Sequence, residues 1–374
     1  MFSTYLLFFR YGKIKLMLGF RFGSKNFLGV DIGTSSIKII ELSKQGKEIK
    51  LENYAEVKTS LARKKVIKPF KKNNLLLSDQ NIAKAIQSIF KEAGIQTKEV
   101  NFSIPDFSTF FTTFEIPAMS KEEIPETVKY EVRPYIPLPL SEITLDWSVV
   151  KGEPGKTPLK ILVVAIPNEI VSQYRTIASL AGLKLKALEP EAFALVRAVS
   201  DKDEKKVSAL IDIGARSTTC TILDQGILKI SHSFNVASNQ LSEQLANSLN
   251  IDYNKAEELK RRYGLGIVSE DTKEEYKDIR NILIPMVDAL IEEVKKIFRD
   301  FYQNEGKEIE KIILAGGLAF MPNLKEYFFA ELKKEVIVAN PFVKISHSSV
   351  LEKTLKQEGP SYAVAVGLAL KGLE

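Results

Sequence analysis

The chain has 374 residues, 45% of them hydrophobic and 27% charged, with a formal net charge of +6. That profile belongs to a soluble globular protein long enough for two domains, and it excludes a disordered or membrane-embedded chain. A single cysteine, Cys220, excludes an intrachain disulfide framework. With only His232 and His347 beside it, the sequence also offers no zinc-ligand pattern.

Residues 1–25 are basic and aromatic, with Arg10, Lys13, Lys15, Arg21 and Lys25 and no acid. Their apolar part falls short of the roughly 18–20 residues of a transmembrane helix, and it lacks the charge order and cleavage site of a signal peptide. A helix in weak contact with a membrane surface and a true start at Met17 both stay open. The next element, FLGVDIGTSSIKIIELS at 27–43, reads as a strand, a tight polar turn and a second strand. A basic run at 61–77 reads as a solvated loop, so no nucleic acid partner is expected. A helix follows over 79–94, with Asp79 as its cap, Ile82, Ile86, Ile89 and Phe90 on one face and Gly94 as its stop.

Residues 106–187 then read as strand, helix, strand, strand, helix, a small α+β module with its own core. Ser120 and Glu123 match a capping box, and Ile124, Val128 and Val132 recur at helical spacing. After a helix near 190–199 and the charged stretch 201–206, the segment VSALIDIGARSTTCTILDQG repeats the first element. Asp31 and Asp212 stand 181 positions apart in matching Asp-Ile-Gly turns, which suggests two related lobes. Helices with Leu241, Leu245 and Leu249, then NKAEELKRRYG, then a long one near 276–304 containing Pro285, lead to the strand KIILAGG. A helix, a strand and a terminal helix from about 361 close the chain.

The two turns have the parts a polyphosphate with a divalent cation requires. Gly33 and Gly214 let backbone N–H groups approach closely. Thr34, Ser35 and Ser36 on one side, and Ala215, Arg216, Ser217 and Thr218 on the other, surround them with hydroxyls and N–H donors. Lys38 adds charge, and Asp31 and Asp212 suit Mg²⁺ held mainly through water. A third element, Gly316-Gly317 after a strand, leaves a flat surface for a purine. One such turn alone is an ordinary β-turn; two matched copies with the third element are far more specific.

In this order the elements resemble the phosphate-1, phosphate-2 and adenosine motifs of the actin, Hsp70 and sugar-kinase superfamily, over about residues 27–374. The resemblance implies an α/β, two-lobed actin/Hsp70-like (ribonuclease H-like) fold that binds ATP between its lobes. Glu189, before Pro190 and a helix, falls where bacterial actins carry a glutamate that orients water, and it is the candidate catalytic residue. Helix capping is its equal alternative. Glu257 and Lys260 resemble positions that reach ribose and adenine; a plain surface helix has the same spacing. The module at 106–187 resembles the SHS2-type insert of FtsA relatives, and EVRPYIPLPLSEITLDWSVV resembles the pilus assembly protein PilM family, from which Arg133-Pro134 departs.

The PilM resemblance implies the following organisation: a first lobe over 26–105 and 188–206, the module at 106–187, a second lobe over 207–353, and a terminal helix at 354–374 returning to the first lobe. It implies a scaffold at the cytoplasmic face of the inner membrane that binds the cytoplasmic N-terminal peptide of PilN. The scaffold would couple the PilN–PilO complex to the pilus motor ATPase. Phe110, Phe111, Phe114, Ile116, Tyr135, Ile136 and Leu138 are candidates for the peptide groove, each equally open to a place in the module's core. Slow ATP turnover and an FtsA-type cytoskeletal role are the alternatives.

Overall fold

The computed structural model describes residues 26–58, 75, 77–201, 204–266 and 278–373. Residues 1–25 and most of the basic stretch 61–77 lie outside the described residues. The chain divides into two compact units, Met1–Arg197 with Lys344–His347 and Val364–Glu374, and Ala198–Val343 with Ser348–Ala363. The boundary expected at 207 therefore falls at Ala198, and the last helix is shared between the units.

In the first unit the order is β1 (Asn26–Ile32), β2 (Ser36–Gln45), β3 (Glu48–Lys58), α1 (Asp79–Ala93), β4 (Glu99–Ile104), β5 (Phe110–Ile116), α2 (Ile124–Glu131), β6 (Ile143–Lys151), β7 (Leu159–Pro167), α3 (Asn168–Leu180), β8 (Lys184–Pro190) and α4 (Glu191–Val199). The second continues with β9 (Ser208–Ile213), β10 (Thr218–Asp224), β11 (Ile227–Phe234), α5 (Ser238–Leu249), α6 (Tyr253–Tyr263), α7 (Ile279–Glu305), β12 (Lys311–Ala315), α8 (Leu324–Leu332), β13 (Glu335–Val338) and α9 (Glu352–Lys371).

The repeat seen around the two Asp-Ile-Gly turns extends to whole sheets. One five-stranded sheet has the order β3-β2-β1-β4-β8, and the other has β11-β10-β9-β12-β13. In each, a hairpin and a third antiparallel strand precede two strands added in parallel.

Alternation along the strands sends each face of the first sheet to a different helical layer. Phe102 of β4 meets Tyr174 of α3 edge-on, with ring centroids 6.2 Å apart. On the opposite face Gly29 of β1 lies against α9. A Cβ there would stand 2.1 Å from the Ala365 carbonyl oxygen, so only glycine lets helix and sheet approach this closely.

The inserted module has a three-stranded antiparallel sheet, β5-β7-β6. Its core joins Phe114, Ile116, Ile124, Val128, Val132 and Ile136 to β7 residues Leu159, Ile161 and Val163. No residue of α3 is in that cluster. The helix expected to complete the module instead packs by Tyr174 on the larger sheet.

Other departures are local. Ser78, not Asp79, caps α1, its hydroxyl accepting from the Asn81 N–H at 3.3 Å. Asp79 occupies the first turn and accepts from Gln173 at 2.8 Å. Glu123 does reach back to the Ser120 N–H at 2.8 Å, but α2 starts only after it. Helix α9 begins at Glu352 and runs through Pro360, well before the start near 361 read from the residues and close to the 354 that the resemblance implies.

Candidate functional site

Each unit builds its own turn, and the two turns are alike in detail. The Gly33 N–H donates to the Ser36 carbonyl at 3.0 Å, and the Gly214 N–H donates to the Ser217 carbonyl at 3.0 Å. A Cβ on Gly33 would lie 3.1 Å from the Ser36 oxygen, and one on Gly214 would lie 3.0 Å from the Ser217 oxygen. Both glycines therefore keep the turn tight and its outer backbone bare. Thr34 and Ser35 form the tip of the first turn; Ala215 and Arg216 form the tip of the second.

In the first unit a polar row crosses the sheet just before the turn. Glu56 pairs with Lys38, and Lys38 with Asp31. The Ser103 hydroxyl donates to Asp31 Oδ1 at 2.8 Å, and Ser103 pairs with Glu189. Directly opposite residues share a face, so Lys38, Asp31, Ser103 and Glu189 line one side of the sheet. Lys38 Nζ lies 3.8 Å from Glu56. Burial raises the pKa of Asp31, which is 7% exposed, while Lys38 and the Ser103 hydroxyl oppose the rise.

Glu189 is held more tightly than a water-positioning base requires. It is 1% exposed. Arg197 of α4 grips both carboxylate oxygens, the second at 3.1 Å, and Lys371 of α9 reaches Oε2 at 3.0 Å. Arg197 also donates to the Gly367 carbonyl at 3.1 Å. The carboxylate ties β8, α4 and α9 together.

In the second unit Asp212, the last residue but one of β9, stands opposite Thr219, whose hydroxyl is 2.9 Å from that of Ser233. Thr218 donates to the Val236 carbonyl at 2.6 Å. The start of α5 is bound to the turn: Ser238 and Asn239 N–H groups donate to the Gly214 and Ala215 carbonyls at 3.1 and 2.9 Å.

Gly316 follows β12 beside Asp212, in the left-handed region at φ 84°. A Cβ on it would lie 2.4 Å from Asp212 Oδ1 and 2.5 Å from the Ile213 carbonyl oxygen. Around Gly317, by contrast, a Cβ meets nothing within 4 Å. Gly316 therefore brings the backbone onto the carboxylate, and Gly317 has open space beside it. These bare cradles fit a phosphate-bearing ligand with a flat base.

Lys260 and Glu257 turn inward. Lys260 is 1% exposed, and its ammonium donates to the Ser238 carbonyl at 3.0 Å, the Ser238 hydroxyl at 2.7 Å, the Ser242 hydroxyl at 2.8 Å and Glu257 at 2.7 Å. The Ser242 hydroxyl donates to Glu257 at 2.6 Å, and Arg261 adds a contact at 2.7 Å. In this arrangement Lys260 fixes the start of α5, and with it the second turn, rather than reaching toward a base. The spacing of Ser238 and Ser242, one helical turn apart, was the available signal for this network.

Burial raises the Glu257 pKa, but Lys260, Ser242 and Arg261 together outweigh it and bring the carboxyl down to about 2. A depressed carboxyl contributes stability above its unfolded pKa and loses it as pH falls through the folded value. Urea midpoints measured for wild type and Glu257→Gln should therefore differ by up to ~3 kcal/mol at pH 7 and converge between about pH 5 and pH 2. A constant difference across that range would remove the ion pair from the account.

The expected groove residues separate. Phe114 and Ile136 belong to the module core, with Phe110 and Leu138 packed on its margin. Tyr135 stacks on Phe114 at 5.5 Å between centroids yet stays 51% exposed. Phe111 points to α4, 5.8 Å from the Phe193 ring. The module's exposed large apolar side chains here are thus Tyr135 and the neighbouring Tyr130, with Leu138 half-buried beside the core.

Among the described residues no helix is long and apolar enough to cross a membrane, and no three acidic, histidine or cysteine side chains converge as a metal cage. Among solved structures, the chain is similar to the PilM-PilN type IV pilus biogenesis complex, with a TM-score of 0.78 at 24% identity, covering 93% of this chain and 98% of that one. It is also similar to MreB 5 of Spiroplasma citri bound to AMPPNP, with a TM-score of 0.51 at 15% identity over 89% and 98% of the two chains. The cell division protein FtsA of Enterococcus faecalis is 21% identical over 353 residues, 84% of this chain and 77% of that protein. The fold is therefore the actin-like one. The family described as type IV pilus assembly protein PilM matches residues 29–373, and with that span covered the chain belongs to that family.

Proposed function

We propose that this chain is an ATP-binding scaffold of type IV pilus assembly. The observation that carries the nucleotide part is the pair of matched glycine turns, each ending a strand that bears an aspartate, with Gly316 pressed against the second aspartate. In this reading the N–H groups and hydroxyls of Gly33–Ser36 and of Gly214–Thr218 hold the phosphates. Lys38 adds positive charge to the first set. Asp31 and Asp212 hold Mg²⁺ through its water shell, the usual preference of that ion. Gly317 leaves room for the base. The bound nucleotide would supply the phosphate charge; the protein would bind and orient it.

The partner part rests on family membership and on the likeness to a PilM-PilN complex. The exposed Tyr135 and the half-buried Leu138 of the module would meet the cytoplasmic peptide of a PilN partner. Through that peptide the chain would sit at the inner membrane beside PilN and PilO and connect them to the pilus motor. The burial of Glu189 between Arg197 and Lys371 favours slow turnover, so nucleotide acts chiefly by holding a conformation.

The test is a thermal-shift titration with Mg·ATP on wild type and Asp212→Ala, with and without the peptide. Wild type should melt higher with Mg·ATP, the variant should not respond, and the peptide should add a further shift. At a concentration 100 times the dissociation constant, binding adds about 2.7 kcal/mol of stability. Peptide binding without any response to Mg·ATP would overturn the nucleotide part alone.

A further inference from the structure

The polar row that crosses the first sheet carries more acid than phosphate binding calls for. β3 is an edge strand of that sheet, and its Glu56 pairs directly with Lys38 of β2, which in turn pairs with Asp31 of β1. Side chains directly opposite one another on adjacent strands share a face with their Cβ atoms about 5 Å apart, so a single lysine stands between two carboxylates. Its ammonium lies 3.8 Å from Glu56, with side-chain exposures of 13% for Lys38 and 27% for Glu56. Asp31 is 7% exposed and accepts from the Ser103 hydroxyl at 2.8 Å. Glu189, at the other end of the row, has cations of its own in Arg197 and Lys371.

With both acids ionised, Asp31, Lys38 and Glu56 together carry an excess of negative charge. A metal-free polyphosphate meets that excess, and Lys38 must be drawn from both carboxylates to reach it. With Mg²⁺ held through water at Asp31, that carboxylate is matched, and Lys38 has only Glu56 to trade for a phosphate oxygen. A partly exposed ion pair of this length is weak enough to exchange. We propose that Glu56 is a positioning residue that, through Lys38, makes the first turn select Mg²⁺-bound over metal-free nucleotide. The inference rests on the nucleotide reading above and adds to it a residue on β3, a strand to which that reading assigns nothing.

The experiment uses Glu56→Gln, which keeps the size and polarity of the side chain and removes its charge. Dissociation constants for Mg·ATP, and for ATP in excess EDTA, are measured by calorimetry on wild type, Glu56→Gln, Lys38→Met and the double variant. Melting temperatures are taken without ligand, and that of Glu56→Gln should stay close to wild type because the pair it breaks is partly exposed. Wild type should prefer Mg·ATP. In Glu56→Gln the affinity for metal-free ATP should rise about three- to fivefold and that for Mg·ATP by less than about twofold, the weight of one such pair. The preference for the metal complex should shrink accordingly. In the Lys38→Met background, adding Glu56→Gln should have little further effect.

A Glu56→Gln variant with the wild-type preference would overturn the inference. So would one that binds Mg·ATP several-fold more weakly, because Glu56 would then be holding Lys38 in its binding position. An undiminished effect of Glu56→Gln in the Lys38→Met background would overturn the route through Lys38. Each of these results leaves the nucleotide reading standing. If wild type binds neither form of ATP, both readings fall.

Discussion

Gly367→Ala is expected to destabilise the first unit by about 3 kcal/mol or more, at or beyond the upper end for one added methyl in a packed core. Gly367 lies in α9, and a Cβ there would stand 1.8 Å from the Ala194 carbonyl oxygen and 2.4 Å from its carbon. Both are backbone atoms of α4, so no side chain can move aside to make room. The same helix holds Gly29 of β1 at similarly short range. A shift of α9 would therefore disturb the sheet as well as α4, and would draw Lys371 away from Glu189.

The contrast that makes this specific lies eight residues earlier in the same helix. At Gly359 a Cβ meets Pro341 only at 3.4 Å, which is ordinary contact. Gly359→Ala should change stability by less than about 1 kcal/mol, because the gain in helix propensity is opposed by the restriction that Pro360 places on a preceding residue with a Cβ. Thermal and urea denaturation should show a large loss for Gly367→Ala and a small change for Gly359→Ala. Equal effects would mean that the close approach of α9 to α4 does not limit the fold.

The parts of this molecule legible in its sequence are those set by local pattern. Strand alternation and the Asp-Ile-Gly repeat announced two related sheets, and the structure realises the repeat down to the Gly33–Ser36 and Gly214–Ser217 hydrogen bonds. The periodic apolar residues of α1 and α2 are buried as their spacing indicated. What stayed hidden was set by partners distant in the chain. Glu189 reads as a free carboxylate until Arg197 and Lys371 are seen on it, and Lys371 comes 182 positions later. Lys260 reads as a surface lysine because its helix is highly charged; its burial follows from Ser238 and Ser242 on the preceding helix. Helix α3 looked like part of the inserted module because it follows β7 directly, yet only three-dimensional packing shows Tyr174 meeting Phe102. The early start of α9 was masked by Pro360, which sequence reading treats as a break although the helix passes through it.

Replacing Glu189 decides between a structural and a catalytic carboxylate, and the two roles predict opposite profiles. As the centre of an ion-pair cluster, a carboxylate 1% exposed is surrounded by two cations that are themselves largely shielded, Arg197 at 18% and Lys371 at 14% side-chain exposure. Breaking a buried pair by removing one partner leaves uncompensated charge and costs about 3–5 kcal/mol. Glu189→Gln and Arg197→Met should each lower the melting temperature markedly. The dissociation constant of Mg·ATP, measured below the melting transition, should stay within a few-fold of wild type, because neither residue is assigned to the phosphates. Phosphate release should remain slow and change little in either variant. A carboxylate that orients water would behave differently: Glu189→Gln would leave stability nearly unchanged and lower phosphate release by about 10²–10⁴-fold, the usual weight of a general base. That second profile would return Glu189 to the catalytic role its position before Pro190 suggests. The first would identify the Glu189 cluster as the joint that holds α9 and α4 on the sheet bearing the first turn, with nucleotide acting as a structural ligand of the scaffold.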